Sequence, residues 1–258
     1  MYDNTLARLS RPLLDCSSFF NLKLDGFRDE LLNQLGSPRL YVGLDFDEKL
    51  KRCLNSQKEF CGNNRFNRLL KKSRIKKKIR LNTLTPIPAR GLDSNTLLKL
   101  KDGDFLEKGI NIIISGATGT GKTALASATA IDAMEKGYSA MFYKMSELIT
   151  LIEAKDTVSR ARFVERLRKI KLLIIDDYGL TKLSDAVVLT LNDIADSRYG
   201  IGSTIITTQL KKSSLKCVID ESPIRDALAD RLFRDCDMEI TLKGESWRGS
   251  VGEITGED

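Results

Sequence analysis

Eight consecutive residues, Gly116-Ala117-Thr118-Gly119-Thr120-Gly121-Lys122-Thr123, fit the pattern G-x-x-x-x-G-K-[ST] at every position. The chemistry of that spacing is phosphate binding. Glycines let the backbone curl with successive N–H groups pointing inward, which side chains would obstruct. A helix beginning where the loop ends adds about half a positive charge at its N-terminus. Lys122 is then placed to reach the β- and γ-phosphates of ATP, and the Thr123 hydroxyl to ligate Mg²⁺. Further along, Leu172-Leu173-Ile174-Ile175-Asp176-Asp177 is an apolar run that ends in two acids. Behind such a phosphate loop, this placement sets Asp176 near the Mg²⁺, through a metal-bound water. Asp177 then polarises the attacking water. Asp is a methylene shorter than the Glu common at that second position, so slow hydrolysis is expected.

These groups need a scaffold, and the chain supplies an alternating one. Asn111–Ser115 reads as a buried strand ended by glycine, and Ala124–Lys136 as a helix closed by Gly137. Ala140–Tyr143, Leu172–Ile175, Thr204–Thr208 and Met238–Leu242 read as the remaining strands. Between them lie helices capped by Ser146, Ser184 and the pair Ser222-Pro223. Another helix is marked by Val158, Ala161, Val164 and Leu167. Five strands alternating with helices predict an α/β fold, a parallel sheet flanked by helices. Before it, Leu24, Phe27, Leu31 and Leu35 mark a helix stopped by Gly36-Ser37-Pro38. A second is expected from near Asp45 to Phe60, broken at Gly62-Asn63-Asn64, and a third from Arg65 to about Ile79. The stretch Thr83–Gly91, with Pro86 and Pro88, reads as a linker. The expected organisation is an all-α domain at 1–85, an ATPase domain at 86–248 and a flexible tail at 249–258.

Composition removes other chemistries. The chain has no histidine, so Ser-His-Asp and Cys-His catalysis have no imidazole to shuttle a proton. The five cysteines include no C-x-x-C pair, and the common zinc sets are absent with them. No run approaches the ~20 apolar residues of a membrane span, and no leader peptide is read at the N-terminus. A cytoplasmic protein with reduced thiols and no membrane partner is expected. The net charge of +7 is uneven. Residues 1–110 carry 22 Lys and Arg against 13 Asp and Glu, a net +9, and the rest carry 20 against 22, a net −2. Arg65, Arg68, Lys71, Lys72, Arg74, Lys76, Lys77, Lys78 and Arg80 fall in sixteen residues without one acid. Same-sign charges this dense repel one another, so contact with DNA phosphates explains them better than helix stability does. No base-reading motif accompanies them, and duplex binding with little sequence preference is expected.

With these motifs in place, the chain resembles the IstB-like helper ATPases of insertion-sequence transposition, which are AAA+ proteins, and their relatives the DnaC-like helicase loaders. The resemblance runs from about Leu22 to Arg248. It rests on phrases in order: Leu22-Lys-Leu-Asp-Gly-Phe, Gly103-Asp-Phe-Leu-Glu-Lys-Gly, Leu173-Ile-Ile-Asp-Asp-Tyr-Gly-Leu, Arg198-Tyr-Gly-Ile-Gly-Ser-Thr-Ile-Ile-Thr-Thr-Gln-Leu, Ala229-Asp-Arg-Leu and Lys243-Gly-Glu-Ser-Trp-Arg. It implies an AAA+ P-loop fold and three further roles. Gln209, or Thr208 in its place, resembles the polar residue that reads the γ-phosphate. Arg231 resembles the finger that a neighbouring subunit inserts into the ATP site, with Arg225 and Arg234 as competitors on or beside the same helix. Arg248 resembles the second sensor arginine. The resemblance further implies a homo-oligomer joined through ATP sites that delivers or activates a transposase. Two alternatives stand beside it: a replicative helicase loader, and a nucleotide-switched DNA-binding scaffold with negligible turnover. The sequence departs from the family at Lys211-Lys212, where many relatives carry a proline after Gln209-Leu210.

Overall fold

The computed structural model describes Phe19, residues 22–76, 78–234, Cys236 and residues 238–244. The chain divides into two compact units, residues 1–68 and 69–258. Residues 69–85, grouped above with the helical domain, count with the larger unit.

In the smaller unit α1 (Asp25–Gly36) stops where Gly36-Ser37-Pro38 predicts, with Pro38 opening a 3₁₀ turn to Tyr41. The next helix corrects the sequence reading. Helix α2 runs unbroken from Phe46 to Ser73, through Gly62-Asn63-Asn64. Glycine costs about 1 kcal/mol in a helix interior and asparagine less, a sum that a 28-residue helix absorbs. The two helices approach closely at Gly26, where a Cβ would stand 2.6 Å from Cβ of Phe60. The Ser56 hydroxyl donates to the Gly26 carbonyl, and the Gln57 side chain accepts the Phe27 N–H. The third helix expected from Arg65 to about Ile79 is instead the last part of α2, which ends at Ser73. Arg74 turns into the left-handed region at φ +65°, and the described residues after it, 75–76 and 78–80, are non-helical up to a 3₁₀ turn at Leu81–Thr83.

Ahead of its sheet the larger unit carries two short helices that the sequence reading lacked. These are α3 (Ser94–Asp102), capped by Asp93 accepting the Thr96 N–H, and α4 (Asp104–Lys108). The alternating pattern follows as expected: β1 (Ile112–Gly116), α5 (Lys122–Glu135), β2 (Ala140–Lys144), α6 (Met145–Glu153), α7 (Thr157–Arg168), β3 (Leu172–Tyr178), α8 (Asp185–Arg198), β4 (Ser203–Thr208), α9 (Pro223–Ala229) and β5 (Met238–Leu242). The five strands form one parallel sheet in the order β2-β3-β4-β1-β5. Ile112, Ile113, Ile114, Leu172, Leu173, Ile174, Ile205 and Ile206 are wholly buried, as a parallel sheet flanked by helices requires.

Local details differ from the sequence reading. Ser146 lies inside α6, whose N-cap is Lys144. Ser184 occupies the N-cap of α8, but its hydroxyl donates to Glu153 instead of accepting a helix N–H. Ser222 caps α9 as expected, accepting the Arg225 N–H. Beyond Ala229 the α-helix gives way to a π-helical turn, Asp230–Arg234.

At the end of the strands opposite the phosphate loop, α8 ends on a buried arginine. The Arg198 guanidinium donates to the carbonyls of Leu167, Ile170 and Ser203 at 2.6, 2.5 and 2.6 Å. It thereby ties together the turns that feed β3 and β4. Burial lowers its pKa from the usual arginine value to about 10.

Candidate nucleotide-binding site

The loop from Gly116 to Thr123 leaves the top of β1 and enters α5. Gly116, Gly119 and Gly121 adopt φ of +151°, +84° and +99°, values that side chains rarely tolerate. At Gly116 space also forbids a side chain, because a Cβ would stand 2.3 Å from the Leu242 carbonyl oxygen. At Gly121 a Cβ would meet nothing within 4 Å, so conformation alone selects glycine there. No side chain caps the N-terminus of α5, the end of a helix that favours an anion. The Lys122 ammonium is buried and donates to the carbonyls of Gly116 and Ala117, both at 2.8 Å. Thr120 closes the turn from within, donating to the Ala117 carbonyl at 2.9 Å.

From Thr123 the site crosses the sheet. Its hydroxyl donates to the Asp176 carboxylate at 2.9 and 3.2 Å, which brings the phosphate loop and the end of β3 together. Asp176 ends the regular part of β3 and is fully buried. Burial pushes its pKa above the usual carboxylate value, opposed by the hydroxyls of Thr207 and Thr123, raised further by Asp177 and lowered by Lys144. Lys144 lies beside it in strand register, at the end of β2. Asp177 is half-buried and sits at φ +60°, where the register between β3 and β4 slips between Ile175 and Tyr178. A hydroxyl and a carboxylate, hard oxygen donors beside a phosphate loop, fit Mg²⁺, which keeps several waters and takes its other ligands from phosphates. Among the described residues no group of three or more His, Cys, Asp or Glu could hold a metal without such help.

Thr207 is the neighbour that sequence reading missed. Its hydroxyl donates to Asp176 at 2.5 Å and accepts the Asp177 N–H at 3.0 Å. Thr208, the substitute for Gln209, is buried and committed elsewhere: its hydroxyl donates to the Tyr178 carbonyl and accepts the Leu210 N–H. Gln209 follows the end of β4 and is exposed. The segment read as a linker also reaches this neighbourhood. Ile87 and Leu92 pair, Lys243 donates its N–H to the Arg90 carbonyl, and Gly91 abuts the Thr241 carbonyl.

Other expected site residues lie apart or outside the described residues. Arg231 donates from Nε to Asp196 at 2.7 Å, and its carbonyl accepts from Asn111 just before β1. That places it at the end of the strands opposite its own phosphate loop. Arg225 is largely buried beside Glu221 and Asp226. Arg248 lies outside the described residues, as does Lys77 in the basic stretch. Arg65, Arg68, Lys71 and Lys72 lie on α2, and Lys76 and Lys78 follow it; all six are exposed. Arg74 instead pairs with Glu147 at 2.8 Å and stacks over the Tyr143 ring, and Arg80 pairs with Glu135 at 3.0 Å.

A parallel sheet ordered β2-β3-β4-β1-β5, with a glycine-rich loop after β1 and an acid pair ending β3, defines an AAA+ P-loop ATP-binding domain. Solved structures share the fold. That of the DnaC helicase loader is 24% identical, with a TM-score of 0.51 over 64% of this chain and 96% of the other. That of DnaI is 16% identical, with a TM-score of 0.55 over 67% and 96%. A Pseudomonas fluorescens protein, named for insertion sequence IS1162 and for ATP binding, is 32% identical over 77% of this chain and 86% of its own length. A Bacteroides fragilis protein, named in the same way for an IS21-like insertion sequence, is 29% identical over 80% and 78%. The family described as IstB-like ATP binding protein matches residues 20–251, and the chain belongs to it.

Proposed function

We propose that the chain is a slow, Mg²⁺-dependent ATPase that assembles on duplex DNA and recruits or activates a transposase. The observation that carries the reading is the meeting of Lys122, Thr123 and Asp176 around one loop, with Asp177 beside them. Lys122 exchanges its two loop carbonyls for the β- and γ-phosphates. Bound Mg²⁺ supplies charge neutralisation on those phosphates, and Thr123 and Asp176 are the residues that hold it. Asp177 orients water for in-line attack, so the protein's contribution is positioning and charge. Arg231, at the end of the strands opposite its own loop, is available to the ATP of a neighbouring subunit once it leaves Asp196. Gln209 and Arg248 read the γ-phosphate. ATP between subunits joins the homo-oligomer, and hydrolysis releases it in the cytoplasm. The names of the relatives favour an insertion-sequence partner. The likeness to the DnaC helicase loader supports the second reading, a helicase loader, and a neighbouring gene for a transposase or a replication protein separates the two.

DNA contact in this proposal runs through the exposed Arg65, Arg68, Lys71, Lys72, Lys76 and Lys78. Neutralising six phosphates gives a slope of log K against log salt of roughly −5. Replacing Lys76 and Lys78 with alanine lowers the magnitude of that slope by about 2, whereas Arg74→Ala leaves it unchanged. The test joins a salt titration with phosphate release and electron microscopy on duplex DNA, with ATP or ADP. Expected are DNA-stimulated release and ATP-dependent assemblies; a salt-independent affinity removes the DNA assignment. Absence of phosphate release with and without DNA, alongside ATP-dependent assemblies, leaves a nucleotide-switched scaffold.

A further inference from the structure

The strand between the phosphate loop and the acid pair carries a group that holds both acids. Strand β4 lies between β1 and β3 in the sheet, and Thr207 on it is fully buried. Its hydroxyl accepts the Asp177 N–H at 3.0 Å and reaches the Asp176 carboxylate at 2.5 Å. An amide N–H can only donate, so it occupies a lone pair of the hydroxyl oxygen. The hydroxyl proton is left to point at the carboxylate, and the direction of both bonds is fixed. Asp177 needs this partner. At φ +60°, inside the register slip, it departs from the regular β3–β4 ladder, and a buried N–H without an acceptor is costly. Thr208 does the corresponding work on the far side of the slip, donating to the Tyr178 carbonyl.

We infer that Thr207 is a positioning residue for ATP hydrolysis: it aims the Asp176 carboxylate toward Thr123 and fixes the left-handed turn that carries the Asp177 side chain off the sheet. This deepens the proposed ATPase reading and rests on it. Thr207 touches neither phosphate nor water in this role and acts through the two acids. A valine at position 207 would keep the packing volume and β-branch and remove the hydroxyl, so the two roles of the side chain can be separated.

The test compares the wild type with Thr207→Val and Thr207→Ser in the full chain. Steady-state phosphate release is measured against both ATP and Mg²⁺ concentration, and Mn²⁺ binding to the protein–ADP complex is followed by electron paramagnetic resonance. Partners that orient a metal ligand are worth about 10–100-fold in activity or metal affinity. Thr207→Val is therefore expected to lower kcat by about 10–100-fold, to raise the half-saturating Mg²⁺ and Mn²⁺ concentrations, and to leave the KM for ATP near the wild-type value. Thr207→Ser restores the metal dependence and most of kcat. A purely structural role would lower the melting temperature and the active fraction without moving the metal titrations, and that result overturns the inference. So does a valine variant with wild-type kcat and metal dependence, or a serine variant that is no better than valine. If the wild type releases no phosphate, the ATPase reading fails by itself, and unchanged Mn²⁺ binding in Thr207→Val still overturns the positioning role.

Discussion

Replacing Arg198 with methionine tests the energetics at the base of the sheet. The guanidinium makes three short bonds to the carbonyls of Leu167, Ile170 and Ser203, and hydrogen bonds to charged groups contribute about 1.5–3 kcal/mol each. Together they are worth roughly 4–9 kcal/mol. Against this stands the cost of burying the cation. The fall in its pKa from the usual arginine value to about 10 corresponds to roughly 3 kcal/mol at 1.36 kcal/mol per unit. Nε is buried without a partner, which adds to that cost. The bonds win by a margin of a few kcal/mol, and Arg198→Met is expected to destabilise the larger unit by about 3 kcal/mol. For a unit of this size that is a fall in melting temperature of about 6–12 °C. Arg198→Lys should be no better, because an ammonium keeps the desolvation cost and cannot fork between carbonyls on separate turns. Urea unfolding followed by far-ultraviolet circular dichroism measures both variants. A methionine variant within about 0.5 kcal/mol of wild type, the range of an ordinary surface substitution, would show that the three bonds merely cancel the burial cost.

Two further predictions concern the site. The raised pKa of Asp176 means that folding disfavours its charged form: the cost is absent below the usual Asp value, appears as pH rises through the raised folded value, and is complete above it. Asp176→Asn should therefore raise the melting temperature of the nucleotide-free protein at neutral pH, shrink the difference from wild type in acid, and abolish Mg²⁺-dependent phosphate release. A variant less stable than wild type at neutral pH would show that the two hydroxyl bonds outweigh desolvation. Gly116→Ala and Gly121→Ala should differ in kind: the first collides with the Leu242 carbonyl and should unfold or misfold the loop end of β1, while the second carries only left-handed strain of about 1–3 kcal/mol. Calorimetric ATP titration with melting curves distinguishes them, and equal losses of stability would refute the distinction.

The strands were legible because a parallel sheet covered on both faces demands unbroken apolar runs, and Ile112–Ile114 and Leu172–Ile175 are such runs. That Lys122, Thr123 and Asp176 would meet was legible because their positions attach to fixed spacings from a strand end. What escaped depends on registration between elements. No local pattern reveals that β3 slips against β4 at Asp177, so Gln209 and Thr208 were singled out while Thr207 holds the acids. The basic stretch misled for a related reason. Counted along the chain its nine cations look equivalent, yet Arg74 and Arg80 meet acids 73 and 55 positions away. Asn63, Asn64 and Gly62 were read as a break because breakers are judged locally, whereas the helix around them is long enough to carry them.

The position of β4 has a consequence for how the protein is made. Strands β1 and β3, which bring the lysine loop and the acids, are never neighbours; the later-synthesised β4 separates and registers them. A nascent chain emerging from the ribosome up to residue 202 has both sequence motifs and no shared site. Nucleotide capture of the proposed kind, through Lys122, Thr123 and Asp176 together, would therefore report the insertion of β4, and a chain stalled before Ser203 would be excluded from it.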